Sequence, residues 1–367
     1  MKGRRGKEAA SLKTIPLVPT KSQISSAFVG IAALGAATVL IPGFFFISAF
    51  LMPVLICPLF GKPDKKTAAA LILSSLLPAV AAFILTLDLK LSLCILCTTA
   101  APVLVTWLLL REKHVLGLKN QREYLAAFIF GELMLLLWLN RILPQGIISG
   151  LRDMLMGWVE NTPYKTSLLQ AMVSGRLLPV PDMGLEGPEA EREMLLLLRS
   201  RLEVGLKNGF CKLLTWTPLI ASLFTLLRVT WLNGSFLLVN EENDKQVTVA
   251  RPVVFSMLAL RTRTVFLLAV VSALTTAIRI SAGGSLEIIC MLMEWTCQGI
   301  LNLAGTASFL RMIRGEDRRV ATWKGLLAGI LFIIVPDFMM ICLMMEHMGL
   351  IMKKQKQSTD NHKEEEP

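Results

Sequence analysis

A run of 40 residues between Lys21 and Lys62 contains no Asp, Glu, Lys or Arg. The hydrocarbon core of a bilayer is about 30 Å thick, and about 20 apolar residues cross it as a helix. The run is therefore long enough for two crossings. Ile41-Pro42-Gly43 divides it, because proline removes a backbone donor and glycine permits a sharp bend. We predict a transmembrane hairpin of two helices, Ser25–Leu40 and Gly43–Phe60.

Apolar segments continue along the rest of the chain. Hydrophobic residues make up 54% and charged residues 18% of the sequence, whereas soluble domains contain about 45–50% apolar and about 25% charged residues. We therefore predict an all-α fold, a polytopic transmembrane helix bundle of about nine spans, within a range of about 8–10. The spans after the first pair are predicted at Thr67–Leu87, Leu89–Leu110, Tyr124–Leu139, Phe210–Trp231, Val265–Ile278, Leu286–Leu310 and Trp323–Met345.

Positive charge is concentrated in alternate loops. The formal net charge is +11, and Lys and Arg collect before residue 22 and within 62–66, 111–122, 245–263 and 311–324. Because cytoplasmic loops are enriched in these residues, we expect them and the N-terminus to be cytoplasmic, in a bacterial inner membrane, with the C-terminal tail outside. No nucleic-acid recognition motif accompanies the charge, so we expect the lipid bilayer, and not nucleic acid, as a partner.

The segment between the fifth and sixth predicted spans has an amphipathic pattern. Leu151, Met154, Leu155 and Trp158 recur at helical spacing, which predicts a helix lying in the membrane interface. Pro188 begins a second helix, because proline suits the first helical position. The chain thus divides into a disordered basic tail (1–24), N-terminal transmembrane helices (25–140), an amphipathic interfacial segment (141–209), C-terminal transmembrane helices (210–350) and a disordered charged tail (351–367).

The eighth predicted span carries a stripe of polar side chains. Glu287, Glu294, Gln298 and Asn302 follow one another at spacings of seven, four and four residues, which puts them on one face of a helix. Such a face avoids lipid, because unpaired polar groups are costly in hydrocarbon. Two interpretations stay open: a substrate or ion path, and hydrogen bonds that hold the helices together.

An acid follows a proline in the ninth predicted span. Asp337 comes directly after Pro336, and polar sites in membrane proteins are often built beside such helix breaks. We therefore add Asp337 to Glu287, Glu294, Gln298 and Asn302 as a predicted site for a substrate or ion. Arg279 precedes the stripe. It is interpreted either as a partner of Glu287 across the short turn or as an arginine that snorkels to the membrane surface.

Small residues line one side of the first predicted span. Ala32 with Ala36, and Ala33 with Ala37, form small-x-x-x-small pairs, which let helix backbones approach closely. This face is a predicted contact with a transmembrane partner subunit or a second copy of the chain. Packing within the bundle is the alternative.

No catalytic or metal-binding pattern is present in the sequence. Cys94 and Cys97 form a C-x-x-C pair, but they lie in an apolar run without a histidine or a second close pair, so we interpret them as packing residues. Phosphate-binding, zinc-protease and nucleophile-elbow motifs do not occur. We expect no enzyme activity, no metal and no cofactor.

The second half of the chain resembles the YybS-like family of uncharacterised bacterial multi-pass membrane proteins. The resemblance covers about residues 25–350. It lies in the Glu- and Leu-rich segment Glu189–Leu206, the pair Arg251-Pro252, the stretch Cys297-Gln298-Gly299-Ile300-Leu301 and a final span that ends near Gly349. The membrane part of that family is similar in style to the substrate-binding subunits of energy-coupling-factor transporters, which implies a transport role.

Two functions follow as hypotheses. The first is a small-solute binding or transport subunit, with Glu294, Gln298, Asn302 and Asp337 lining the site and the alanine face meeting a partner. The second is a membrane scaffold or assembly factor that transports nothing and acts through residues 141–208 and the loops.

Overall fold

The computed structural model describes residues 12–14, 29–31, 33–34, 37, 51–55, 65–112, 118–143, 145–179, 187–233, 238–240, 246–247, 255–281, 283–314 and 322–364. These ranges are mainly helical. The helices with defined bounds are α1 (Lys65–Thr86), α2 (Leu89–Glu112), α3 (Gln121–Ile142), α4 (Ile147–Asn161), α5 (Lys165–Ser174), α6 (Pro188–Asn233), α7 (Thr262–Ser281), α8 (Ser285–Arg314), α9 (Thr322–Ile334) and α10 (Pro336–Glu364). Three short strands, β1 (Leu12–Thr14), β2 (Leu238–Asn240) and β3 (Gln246–Val247), pair antiparallel in the order β1-β2-β3.

Five of the described helices are long and apolar enough to cross a membrane, as expected of a multi-pass membrane protein. The count of about nine spans is not confirmed, and most of the predicted spans Ser25–Leu40 and Gly43–Phe60 lies outside the described residues. Helix α1 is not among these five; it contributes the shorter apolar stretch Leu76–Thr86. The five candidate spans are Leu89–Leu109, Leu118–Ile142, Pro188–Thr230, Thr262–Ser281 and Ser285–Ile313.

The first helices pack in chain order, α1 on α2 and α2 on α3. Helices α2 and α3 approach closely at Gly131, where a side-chain carbon would lie 3.2 Å from Thr98. The hydroxyls of Thr106 and Tyr124 hydrogen-bond across the same interface at 2.9 Å. Helix α3 packs on its other side against α6, so α3 joins the N-terminal helices to the rest of the bundle.

Helix α6 is much longer than a bilayer is thick. Its 46 residues extend about 69 Å at 1.5 Å per residue, more than twice the hydrocarbon thickness. The N-terminal part of α6 packs with α4 and α5 to form a small helical unit of residues 147–179 and 187–206, which we call the cap. The cap has its own hydrophobic cluster, made by Met156, Val159, Leu169, Leu178, Met194 and Leu198.

Helix α8 is the centre of the C-terminal bundle, where it contacts α6, α7, α9 and α10. It runs parallel to α6, because Lys207 pairs with Glu287 near the start of α8 and, further along both helices, the Trp216 indole N–H donates to the carbonyl of Trp295 at 2.9 Å. The polar stripe of α8 therefore faces packed helices.

Helix α10 also runs parallel to α8. Gly305 lies against the backbone of Met339, the Ser308 hydroxyl donates to the carbonyl of Cys342 at 3.3 Å, and Arg311 pairs with Glu346. Contact positions thus advance together along both helices.

Helix α9 runs in the opposite direction to α8 and α10. Lys324, near its start, donates to the carbonyl of Ile313 at 2.7 Å, whereas the ring of Phe332, near its end, packs with its centre 5.3 Å from that of Trp216. The chain bends by 110° between α9 and α10. The predicted span Trp323–Met345 is therefore not one continuous helix, because Pro336 has no backbone N–H and its ring clashes with the preceding turn.

The two predicted tails contain described structure. Residues 351–364, predicted as a disordered charged tail, continue α10 as helix. Lysine, glutamine and glutamate are good helix formers, so the charge that suggested disorder is compatible with helix. Of the predicted N-terminal tail, the structure describes only Leu12–Thr14, as a strand paired with β2.

We predict that Gly305→Ala destabilises the protein. A side-chain carbon at this position would overlap the carbonyl oxygen of Met339, so α8 and α10 must separate, at a cost of about 1–3 kcal/mol. Gly329→Ala in α9 is the matched control, since nothing lies within 4 Å of its added carbon and alanine is the better helix former. Unfolding temperatures of the purified variants in one detergent test this, and a Gly305→Ala protein as stable as the wild type would contradict the packing.

Candidate functional site

Two ion pairs mark the polar stripe of α8. The Arg279 guanidinium lies 3.3 Å from the Glu294 carboxylate, and Lys207 of α6 pairs with Glu287. Of the two interpretations of Arg279, the pairing with Glu287 is therefore wrong. Glu294 is only 5% exposed, and a buried carboxylate needs a cation more than one near a helix end does, so Arg279 reaches past Glu287 to it.

The middle of the stripe is a short polar chain. The Gln298 amide donates to Glu294 at 3.3 Å, and one turn further Asn302 is only 2% exposed. The side-chain oxygen of Asn302 is buried and has no hydrogen-bond partner within the described ranges. A buried acceptor without a partner is costly in a packed interior. Packing within the described bundle therefore does not account for the side-chain oxygen of Asn302.

Asp337 lies in the first turn of α10 and is exposed. It follows Pro336 and comes two residues before Met339, which contacts Gly305. Gly305 is three residues beyond Asn302, so the start of α10 and Asn302 lie at a similar level along α8. No described residue forms an ion pair or hydrogen bond with Asp337.

The five predicted site residues do not form one compact site. Glu287 is 15 residues before Asn302 on α8, a distance of about 22 Å along the axis, and it is neutralised by Lys207. Glu294, Gln298 and Asn302 occupy the middle of the helix, with the start of α10 beside the last of them. The geometry therefore separates an ion pair at the end of α8 from a polar region near its middle.

Sequence reasoning missed the aromatic contacts around Lys212. Its ammonium lies 4.3 Å from the ring centre of Trp216 and 5.2 Å from that of Trp295, a geometry that favours cation–π attraction. Within the described residues it has no carboxylate partner. The sequence signal for this contact is a lysine two residues into the predicted span Phe210–Trp231. A lysine at that position is also compatible with a simple helix end.

A second group of polar contacts, also missed, closes the other end of α8. Arg311 donates to both carboxylate oxygens of Glu346, at 2.8 and 2.6 Å, and to the carbonyls of Ser256 and Leu258 at 2.9 and 2.7 Å. This bidentate geometry is the strongest form of ion pair. Arg311 thus joins α8, α10 and the short turn before α7, and it fixes the parallel register of α10.

The cap is held to α6 by polar contacts as well as by its apolar cluster. Arg152 of α4 pairs with Asp153 at 3.0 Å and with Glu203 of α6 at 2.9 Å. The hydrogen bonds that it donates to Asp153 and Glu203 raise the pKa of its guanidinium. The predicted amphipathic helix therefore docks one face on α6.

The predicted alanine face is only partly described. Ala33 and Ala37 are helical, whereas Ala32 and Ala36 lie outside the described residues. Ile31 and Leu34 pack with Met52 and with Val103 of α2. The contact with a partner subunit or a second copy stays a prediction.

Comparisons with known proteins found no homologue. No family model matches the chain, and no curated protein or solved structure matches it. The resemblance to the YybS-like family and the transport role that it implies therefore stay predictions.

We predict that Arg279 and Glu294 are energetically coupled. Arg279→Gln and Glu294→Gln each leave one charge in the bundle without its partner, which costs about 3 kcal/mol or more for a buried pair. The double variant leaves no unpaired charge, so it should be destabilised by less than the sum of the two single changes. The measurement is the free energy of unfolding by SDS in mixed micelles.

Arg263→Gln is the control for that cycle, because Arg263 is exposed at the opposite end of α7 and pairs with no described residue. It should change stability by less than about 0.5 kcal/mol. Additive effects of Arg279→Gln and Glu294→Gln would contradict the pairing.

Proposed function

We propose that the protein binds a small solute within its C-terminal helix bundle and moves it across the bacterial inner membrane. One observation supports this most strongly: the chain breaks between α9 and α10 beside the polar middle of α8. Discontinuous helices with free half-helix ends beside buried polar groups form the solute sites of many transporters.

The direction of α10 suggests how the break is placed in the membrane. Since α9 runs antiparallel to α8 and α10 runs parallel to it, the pair enters and leaves on the same side, as a re-entrant hairpin. If the two spans predicted in 25–60 are counted with α1 over its full 22 residues, α2, α3 and α6–α8, the chain crosses about eight times. A cytoplasmic N-terminus then gives a cytoplasmic C-terminus, which replaces the expectation that the tail lies outside.

The tip of this hairpin would lie near the middle of the bilayer. Arg311 and its carboxylate partner mark the cytoplasmic end of α8, and Asn302 lies nine residues before Arg311, about 14 Å along the helix. This is close to half the hydrocarbon thickness. Irregular backbone at that depth is tolerated where it lines a water-filled cavity or is covered by protein.

The chemistry at the hairpin tip favours a solute with donor groups or positive charge. Asp337 offers a carboxylate that no described residue neutralises, and Asn302 offers an unpartnered oxygen. Both are acceptors, so a small cation or an amine would satisfy them, whereas an anion would not.

We test this proposal with the full chain in proteoliposomes. The vesicles are incubated with a defined mixture of amino acids, nucleosides, vitamins and inorganic cations, and the retained solutes are measured by mass spectrometry. We expect one cationic or amine-bearing solute to accumulate, and Asn302→Ala combined with Asp337→Asn to reduce its uptake by about tenfold, the effect of losing about 1.4 kcal/mol of binding.

Asn161→Ala is the control for the asparagine change, since Asn161 is exposed at the end of α4 and bonds only to the carbonyl of Gly157. Solute uptake by the Asn161→Ala protein should equal that of the wild type. No solute retained above empty vesicles, or full uptake by the double variant, would overturn the proposal.

The cap supports a second candidate function, a scaffold or assembly factor. Met154 and Trp158 of α4 remain exposed while the opposite face docks on α6. An apolar groove of about 300 Å³ lies nearby, lined by residues that include Met172, Leu178 and Leu202. This candidate predicts that replacing residues 141–208 abolishes function in cells, while Asp337→Asn leaves it intact.

A further inference from the structure

Glu132 is a carboxylic acid at the middle of a membrane-spanning helix. It is the twelfth of the 22 residues of α3 and is only 6% exposed. Within the described ranges no residue donates a hydrogen bond to it or forms an ion pair with it. The two carboxylates of the stripe on α8, Glu287 and Glu294, each pair with a cation, whereas Glu132 has none among the described residues.

Of the described helices packed against α3, none brings a cation to Glu132. Helix α2 carries Cys94, Cys97 and Thr98 at this level, because Gly131 contacts Thr98 and Leu135 packs with Cys94. The Thr98 hydroxyl donates to the carbonyl of Cys94 at 2.8 Å. At this level α2 therefore brings two thiols and a hydroxyl that is already hydrogen-bonded, and no cation.

Helix α6, on the other side, carries three ionisable groups near this part of the bundle, Cys211, Lys212 and Arg228. Lys212 is held over the indoles of Trp216 and Trp295. Arg228 lies between Leu226 and Val229, which cluster with Tyr124 and Phe128, the two turns of α3 before Glu132. Arg228 has an interaction partner of its own, and that partner is not Glu132.

An ionised carboxylate without a partner is very costly in a dry, apolar interior, and the group keeps its proton instead. Glutamates at such positions form proton relays in pumps and transporters. We propose that Glu132 is a proton-binding residue that couples solute movement to the proton gradient. This inference rests on the proposed transport function for what the proton does, and on the surroundings of Glu132 for where the proton binds.

The proton step is simple. In the packed arrangement the carboxyl is buried and holds its proton, and α2 lies against α3 at the preceding residue, where Gly131 meets Thr98. When α2 and α3 separate, water reaches the group, its O–H bond breaks and the proton passes to that water. A hydronium ion on the opposite side of the membrane then returns a proton to the carboxylate and becomes water, so that one proton crosses and no other reactant is needed.

Infrared spectroscopy of the full chain in nanodiscs tests where the proton binds, without any solute. Ordinary glutamates have a pKa of about 4.3 and are ionised at pH 7. We expect the wild type at pH 7 to show the C=O stretching band of a protonated carboxyl, shifted in D₂O. Glu132→Gln should remove it, and Glu160→Gln, a change at an exposed position of α4, should leave it.

A band unchanged by Glu132→Gln would overturn the inference. If that variant does not fold, the infrared band of the wild type alone tests the inference. Absence of the band at pH 7 contradicts a protonated Glu132. Its presence, with loss on titration to high pH, supports it.

Uptake by proteoliposomes tests the coupling, with the solute retained in the mixture experiment as the probe. A gradient of one pH unit corresponds to a tenfold ratio of proton activity, so one-proton coupling should raise wild-type accumulation by about tenfold. Glu132→Gln should lose this response. Wild-type uptake that ignores the gradient overturns the coupling and leaves the transport function standing. If no solute is retained, the transport function fails, and the infrared band still decides the proton site.

Discussion

The backbone contact between Gly305 and Met339 determines how the C-terminal bundle is arranged. Because glycine has no side chain, α10 lies directly on α8 at this point, and the bonds of Ser308 and Arg311 fix the two helices in parallel register. Parallel packing requires α9 to run in the opposite direction before α10 begins, so the apolar segment after residue 321 folds as two helices with a sharp bend. The break at Pro336 and the acid beside it follow from that arrangement.

A surrounding solvent of hydrocarbon explains the rest of the polar architecture. Charges near the ends of α8 find partners, Lys207 with Glu287 and Arg311 with Glu346. Glu294, deeper in the bundle, is reached by Arg279. The side-chain oxygen of Asn302 and the carboxyl of Glu132 have no described partner. Buried polar groups of that kind are costly in a membrane and mark functional sites. The two proposals assign them tasks, solute binding and proton binding.

Much of this fold could be predicted from the sequence, because span length depends on local apolar runs. The helices α2, α3, α7 and α8 follow from such runs, and the polar face of α8 follows from residue spacing. The partner of Arg279 could not be predicted, since the choice between Glu287 and Glu294 depends on how deeply each is buried. The bend before α10 was signalled by Pro336, but its direction depends on Gly305, which is distant in sequence. The cap was predicted as amphipathic helix, yet its docking on α6 depends on long-range contacts such as Arg152 with Glu203.

The location of the C-terminus tests the central claim, that α9 and α10 form a hairpin that returns to the side it entered. A fluorescent or phosphatase reporter after Pro367 is compared in intact cells with the same reporter inserted between residues 315 and 321. The account predicts that both reporters lie on the cytoplasmic side. Reporters on opposite sides of the membrane would show that the segment crosses once, and would contradict the parallel arrangement of α8 and α10.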